Sequence, residues 1–422
     1  MDVMNYSVDA TYDLTALLRE IPFLPEIDPA GQRVFVRADF NVPIDDNGDM
    51  ADDGRLRAVL PTINYLLDRG ASVIVASHMR NPLEGRSSPA PALSFAPLAR
   101  RLSRIWEVDV SFSPQVVGPE ARKAATTLKP GQVLLLENLR FHPGETADDP
   151  EFARELASLA DVYVNDAFGV CHRPHASMTT VTGLTGQAVG GYALKNELMA
   201  LNRVLDQPVR PLAAVIGGRN VEAKLPVLVK LMGLADYVFL GGQMGDLFSR
   251  FVFGRDVAQP AVSENAMAEM EKLAKNMNTF KARLFYPIDA IVRPVDDHYG
   301  PASAVAAQNL SDDMVSVDIG PATRLWYREV LSLCRTIIWN GPMGAFETPA
   351  FARGTAMVTR AISECQGITL AGGVDTSAAI LKLFDRGQIS FLSSGGSVFL
   401  AALAGQPLVA LEALRRANSR RG

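Results

Sequence analysis

Cysteine is scarce: Cys171, Cys334 and Cys365 stand far apart in a chain of 422 residues. No CxxC pair and no Cys/His ligand spacing occurs. Neither a disulfide framework nor a zinc site is supported, and three reduced thiols in a cytoplasmic protein are expected. Basic charge is not in excess either. Lys and Arg number 41 against 46 Asp and Glu, a net charge of −5, so no global field would draw nucleic acid and any anion site must be a local cluster of cations. No apolar run approaches the ~18 residues that would cross a bilayer, so no membrane partner is expected. Residues 1–10 hold no Lys or Arg and no apolar stretch, which argues against a signal peptide. Low-complexity tracts are missing as well.

What the chain has is core material, 48% hydrophobic residues, enough at ~100–200 residues per domain for two or three domains. A simple unit repeats along it: a short β-branched or Leu-rich run, a polar or glycine-rich tip, then a helical pattern. The runs are 34–42, 72–78, 133–140 and 162–168, then 212–218, 237–242, 336–341, 368–373 and 389–396. They are nearly continuous in apolar residues, as in parallel strands buried on both faces. Helical spacing joins Leu56, Val59, Leu60, Ile63, Leu66 and Leu67, with Pro61 expected to kink it. Further helices are predicted over 195–205, through Leu225, Leu228, Val229 and Met232, and over 355–362 and 377–384. Gln207-Pro208 and Arg210-Pro211 interrupt the pattern between two strand sets. The fold class is therefore α/β, two doubly wound parallel-sheet lobes joined by a hinge helix, with domains over 1–205 and 206–407. One sheet alone would hold more strands than open sheets usually carry.

Ligands of open parallel sheets bind beyond the carboxyl ends of the strands. In the first half those tips carry Arg37, Asp39 and Asn41, then His78 and Arg80, Arg140 and His142, and His172, Arg173 and His175, with Arg55 opening the first helix. Guanidinium forks suit phosphate and carboxylate, so this half reads as a receptor for a small, highly charged anion. The tips of the second half are instead glycine pairs: 217–218, 241–242, 341 with 344, 372–373 and 395–396. Glycine lets backbone N–H groups approach phosphate closely. Lys224 follows one pair, and Asp375-Thr376 another, placed for a magnesium-bound phosphate. Neither GxxxxGK[ST] nor GxGxxG occurs. An anion receptor beside a nucleotide cradle points to phosphoryl transfer, which needs positioning, charge neutralisation and exclusion of water.

Seven segments carry a resemblance: RADFNVP (37–43), GRLRAVLPTI (54–63), ENLRFHPGE (137–145), VNDAFGVCHRPHAS (164–177), DIGPAT (318–323), WNGPMGAFE (339–347) and GGVDT (372–376). In these, and in their order, the chain resembles the phosphoglycerate kinases. The resemblance implies reversible phosphoryl transfer between 1,3-bisphosphoglycerate and Mg-ADP, giving 3-phosphoglycerate and ATP, by a monomer. It implies that Asp39, Asn41, Arg55, His78, Arg140 and Arg173 hold 3-phosphoglycerate, and Phe40, Met79, Arg80 and Asn81, in the same segments, are expected among the substrate-binding residues. Arg37 would lie beside the transferring phosphate. Lys224, Asn340, Pro342, Gly372, Gly373, Val374 and Thr376 would line the nucleotide site, Glu347 would meet the ribose and Asp375 the Mg2+. Residues 408–422 would return to the first lobe.

The chain also departs from the family pattern. In GGxKvxxK the second Lys is Lys224, but the first is Asn220; in HLGRP the Arg position holds Asn81; the third Gly of GGGDT is Val374. Arg80 and Arg219 each stand one place before an Asn that replaces a cation. The expectation is that they partly restore the charge, which adds Arg219 to Arg37 and Lys224 as a catalytic candidate. Two other readings stay open here: a kinase for another small carboxylic acid, and a binding protein that keeps the fold with weakened catalysis.

Overall fold

The computed structural model describes residues 13–41, 53–80, 93–255, 262–297, 301–384 and 388–419. It divides into two units, Met1–Met199 with Pro407–Gly422, and Ala200–Gln406, the division falling within helix Tyr192–Leu205.

In the first unit the apolar runs form β1 (Arg33–Ala38), β2 (Ser72–Ala76), β4 (Val133–Leu136) and β5 (Val162–Asp166), joined by β3 (Val110–Ser113) and β6 (Gln187–Gly190). The order is β3-β4-β2-β1-β5-β6, with every pair parallel. Val36 lies opposite both Val75 and Val164, and all three side chains are buried. Pro61 does more than kink its helix. The pattern divides at Val59 into Gly54–Ala58 and Leu60–Asp68, with Pro61 in the first turn of the second helix, where its missing N–H costs no hydrogen bond. The terminal helix Val409–Ser419 belongs to this unit. It buries Ala410, Leu411, Leu414 and Ala417, and its Ala410 N–H donates to the Cys171 carbonyl at 3.0 Å.

The second unit holds β7 (Leu212–Ile216), β8 (Tyr237–Leu240), β9 (Arg283–Phe285), β10 (Asp289–Pro294), β11 (Ser303–Ala306), β12 (Met314–Ile319), β13 (Thr336–Asn340), β14 (Ile368–Gly372) and β15 (Phe391–Ser393). Six of these form a parallel sheet in the order β15-β14-β13-β7-β8-β9. The other three, β11-β10-β12, form a small antiparallel sheet that the strand–helix repeat did not announce.

Both parallel sheets reverse direction at a definable point. From β1 the chain builds outward to β2, then returns to add β5 on the other side. From β7 it builds to β8 and β9, then returns to add β13. Loops leave such switch points in opposite directions and open a crevice beyond the strand ends. Arg37 lies at the end of β1; Gly217-Gly218 and Gly341-Pro342 leave β7 and β13.

Candidate functional site

The tips of β1, β2 and β4 in the first unit are stitched together. Asn41 Oδ1 accepts from the backbone N–H of Arg80 at 2.9 Å, and the Arg80 carbonyl accepts from Arg140 Nη1. Arg80 adopts φ 45°, so the chain turns sharply there and its side chain is exposed. Asp39 pairs with Arg55 at 2.5 Å. Arg37 is fully buried and meets His78, its Nη2 standing 3.3 Å from His78 Nδ1. Guanidinium can only donate, so Nδ1 is the acceptor and the neutral ring carries its proton on Nε2. The electrostatics agree. Burial, then the charges of Arg37 and Arg140, push His78 well below its usual value. Burial first, and then the Arg37 and Arg140 charges, push His175 down to about 3. Arg140 is itself lowered to about 10, by burial and then by Arg173 and Arg37.

Cations that depress one another in this way want an anion. Among the described residues neither Arg140 nor Arg173 lies in an ion pair. Arg140 Nε, His172 Nδ1 and His175 Nδ1 are buried without a hydrogen-bond partner among them. Three unsatisfied buried nitrogens in a native cluster call for a ligand. Phe40 and Met79 differ from the rest. Both side chains lie in the apolar core, Phe40 with its ring 6.1 Å from that of Trp106, so only their backbones face the tips. Asn81 lies outside the described residues.

In the second unit the loops after β7 and β13 are joined by backbone hydrogen bonds. The Gly217 N–H donates to the Asn340 carbonyl at 2.9 Å and the Gly218 N–H to the Pro342 carbonyl at 2.6 Å. A Cβ on Gly341, whose φ is +92°, would stand 2.1 Å from the Gly217 oxygen and 2.6 Å from Lys224 Nζ. No other residue fits there. Lys224 reaches back from the first turns of helix Val221–Leu234 to the Gly217 carbonyl. Burial lowers its ammonium to about 8, against the opposing pull of Asp375. Thr376 Oγ1 accepts from the Gly341 N–H at 2.7 Å, and Asn340 Nδ2 donates to the Gly372 carbonyl at 2.7 Å. Asn340 Oδ1 is buried without a partner among the described residues. Val374 and Asp375 open helix Val374–Leu383 and are exposed. Glu347 is exposed near the far end of that helix, where Lys382 Nζ donates to its carbonyl at 2.7 Å. Arg219 is exposed just before the helix.

Arg37, Asp39, Asn41, Arg55, His78 and Arg140 thus lie at the strand tips of the first unit, and Lys224, Asn340, Pro342 and Thr376 at those of the second, while Phe40 and Met79 point into the core and Glu347 lies apart. The family model for phosphoglycerate kinase matches residues 24–406. The chain belongs to the phosphoglycerate kinase family. It is 40% identical over 393 residues to the phosphoglycerate kinase of Desulfosudis oleivorans, covering 93% of this chain and 98% of that one. It is 40% identical over 388 residues to that of Aquifex aeolicus, covering 92% and 96%. The solved phosphoglycerate kinase of Coxiella burnetii superposes with a TM-score of 0.82 at 30% identity, over 94% of this chain and 99% of that one. That of Pyrococcus horikoshii superposes with a TM-score of 0.82 at 29% identity, over 95% and 100%.

Two polar residues of the first cluster, Glu145 and Ser177, lay within segments shared with phosphoglycerate kinases but drew no role from the sequence. A Glu after Pro-Gly reads as a solvated turn, yet Glu145 is fully buried. Among the described residues no group of three or more His, Cys, Asp or Glu side chains could hold a metal by itself. A single carboxylate beside a phosphate cradle, such as Asp375, fits a Mg2+ that arrives on a nucleotide and is held by one carboxylate plus phosphate oxygens.

Proposed function

We propose that the chain reversibly transfers a phosphoryl group between the carboxyl of 3-phosphoglycerate and the terminal phosphate of ADP. The observation that carries the reading is the cation cluster at the strand tips of the first unit, where Arg140 and Arg173 lie in no ion pair among the described residues and Arg140 Nε is buried without a hydrogen-bond partner among them; glycine-lined backbone loops at the strand tips of the second unit add to it. A bound glycerate phosphate and carboxylate would satisfy Arg140, Arg173 and the idle nitrogens of His172 and His175. Asp39 holds Arg55 in place and Asn41 holds the Arg80 turn. In the ATP-forming direction a β-phosphate oxygen of ADP attacks the acyl phosphate, the new P–O bond forms as the carboxyl P–O bond breaks, and the carboxylate leaves with the electron pair. Little covalent help is needed; the work is alignment and charge neutralisation.

Arg37 supplies positive charge for the group in transfer. Lys224, Thr376 and the Gly217 and Gly341 loops hold the nucleotide phosphates, Asn340 and Pro342 border them, and Glu347 takes the ribose. Asp375 would hold Mg2+, which when bound neutralises phosphate charge. Arg219 stands in for the cation missing at Asn220. The protein acts on small molecules as a cytoplasmic monomer; no helix among the described residues is long and apolar enough to cross a membrane.

The test is a coupled assay of ATP-dependent 3-phosphoglycerate phosphorylation beside a panel of other small acids. The reading predicts turnover of 3-phosphoglycerate, and a far larger loss from Arg219→Ala than from a surface change such as Arg19→Ala. Turnover of another acid with none of 3-phosphoglycerate would reassign the substrate.

A further inference from the structure

Arg37 is held by a carboxylate that makes no hydrogen bond to it. Its Nε–H donates to Ser177 Oγ at 2.8 Å, and the Ser177 hydroxyl in turn donates to Glu145 Oε1 at 2.7 Å. The Ser177 backbone N–H donates to Glu145 Oε2 at 3.0 Å. Glu145 Oε1 stands 3.7 Å from Arg37 Nη2, beyond hydrogen-bond reach. All three residues are fully buried. The frame around them is fixed: Tyr163 Oη donates to the Ser177 carbonyl at 2.8 Å, and the Ala176 N–H to the Glu145 carbonyl at 2.9 Å.

A buried guanidinium needs a counter-charge, and so does a buried carboxylate. A direct bidentate pair would meet that need but would use two N–H groups of Arg37. Here the serine hydroxyl stands between the charges. Arg37 spends Nε on Ser177, one Nη1 hydrogen on the Ala38 carbonyl at 2.5 Å and one Nη2 hydrogen on His78. Of its five N–H groups, one on each Nη has no partner among the described residues.

We infer that Ser177 and Glu145 are positioning residues for Arg37, a serine-spaced ion pair that fixes the guanidinium plane while leaving its Nη edge free for the transferring phosphate. This rests on the role proposed for Arg37 above. Misplacing a charge by about 1 Å costs up to 10²-fold in rate, so Ser177→Ala should lower kcat about 10- to 100-fold with KM for both substrates within about twofold. Ser177→Thr, which keeps the hydroxyl, should recover most of the loss. A second readout needs no turnover. In protein labelled with 15N-arginine, the Arg37 Nε–H, identified by its absence in Arg37→Lys, should exchange slowly with water in the native chain. It should exchange fast in Ser177→Ala. If Ser177→Ala does not fold, Glu145→Gln replaces it, since it keeps the shape and removes the charge. Wild-type inactivity on 3-phosphoglycerate would defeat the functional reading but leave the exchange experiment decisive. An Arg37 Nε–H that stays protected in the variant, or a loss that threonine does not rescue, would overturn the inference.

Discussion

Asn220 Oδ1 accepts from the backbone N–H of Ala223 at 3.1 Å, capping helix Val221–Leu234 from a residue at φ 40°. A residue that departs from the family's cationic pattern therefore has a structural task. Asn is among the best N-caps and tolerates the left-handed region, whereas Lys does neither. Asn220→Lys should lower stability by about 1 kcal/mol through loss of the cap. If Arg219 compensates only in part, the same change should raise turnover, by up to roughly 10²–10³-fold where one transition-state cation is wholly missing. A thermal melt and the coupled assay, run on one preparation, check both. A variant that is less stable and no faster would mean that Arg219 already meets the need.

Lys224 offers a pH signature. Its ammonium, lowered to about 8 by burial, is part-deprotonated in the free protein around that pH. Phosphate beside it favours the charged form and raises its pKa. Binding of Mg-ADP should therefore take up protons near pH 8, and affinity should fall as pH rises through 8. Calorimetry in buffers of different ionisation enthalpy measures the uptake. Lys224→Arg, charged throughout, should abolish it.

Asp166 gives the opposite kind of test, on stability. It ends β5 and accepts from the Leu194 N–H at 3.0 Å, and burial raises its carboxyl to about 7 from an unperturbed 3.8. The folded state thus holds a proton that the unfolded state has released. Its stabilising effect is full below about pH 4 and is lost as pH rises through 7. Asp166→Asn should melt progressively higher than wild type between pH 4 and 8, with the difference vanishing at the acid end. A difference that does not vary with pH would contradict the assignment.

The terminal helix should matter for the anion receptor as well as for stability. Its Ala410 N–H holds the Cys171 carbonyl, immediately before His172 and Arg173. Leu411 is fully buried. Leu411→Ala should cost about 2–5 kcal/mol and weaken 3-phosphoglycerate binding while leaving Mg-ADP binding unchanged. Unfolding curves and two titrations measure these effects.

Much of the fold was legible because parallel strands buried on both faces leave near-continuous apolar runs, as at Val73–Val75 and Val162–Val164. The strand tips, and hence Arg37, Arg140 and Lys224, followed from where those runs stop. What stayed hidden lacks that contrast. β11 reads Ser-Ala-Val-Ala and is mostly exposed, so the antiparallel sheet has no run to announce it. Phe40 and Met79 sit among tip residues, but alternation turns their side chains into the core. Glu145 and Ser177 are distant in sequence and meet only through the packing of the turn at 143–146 against the loop after β5. That a carboxylate would be buried there follows from the charge of Arg37, which no local pattern shows.

The most direct test of the account is a calorimetric titration of 3-phosphoglycerate and Mg-ADP into wild type, Arg140→Ala and Lys224→Ala. The account predicts that wild type binds both ligands, that Arg140→Ala loses only the glycerate and that Lys224→Ala is weakened only toward the nucleotide. Absence of heat from either ligand in the wild type, or loss of the glycerate in Lys224→Ala with Arg140→Ala unaffected, would contradict it.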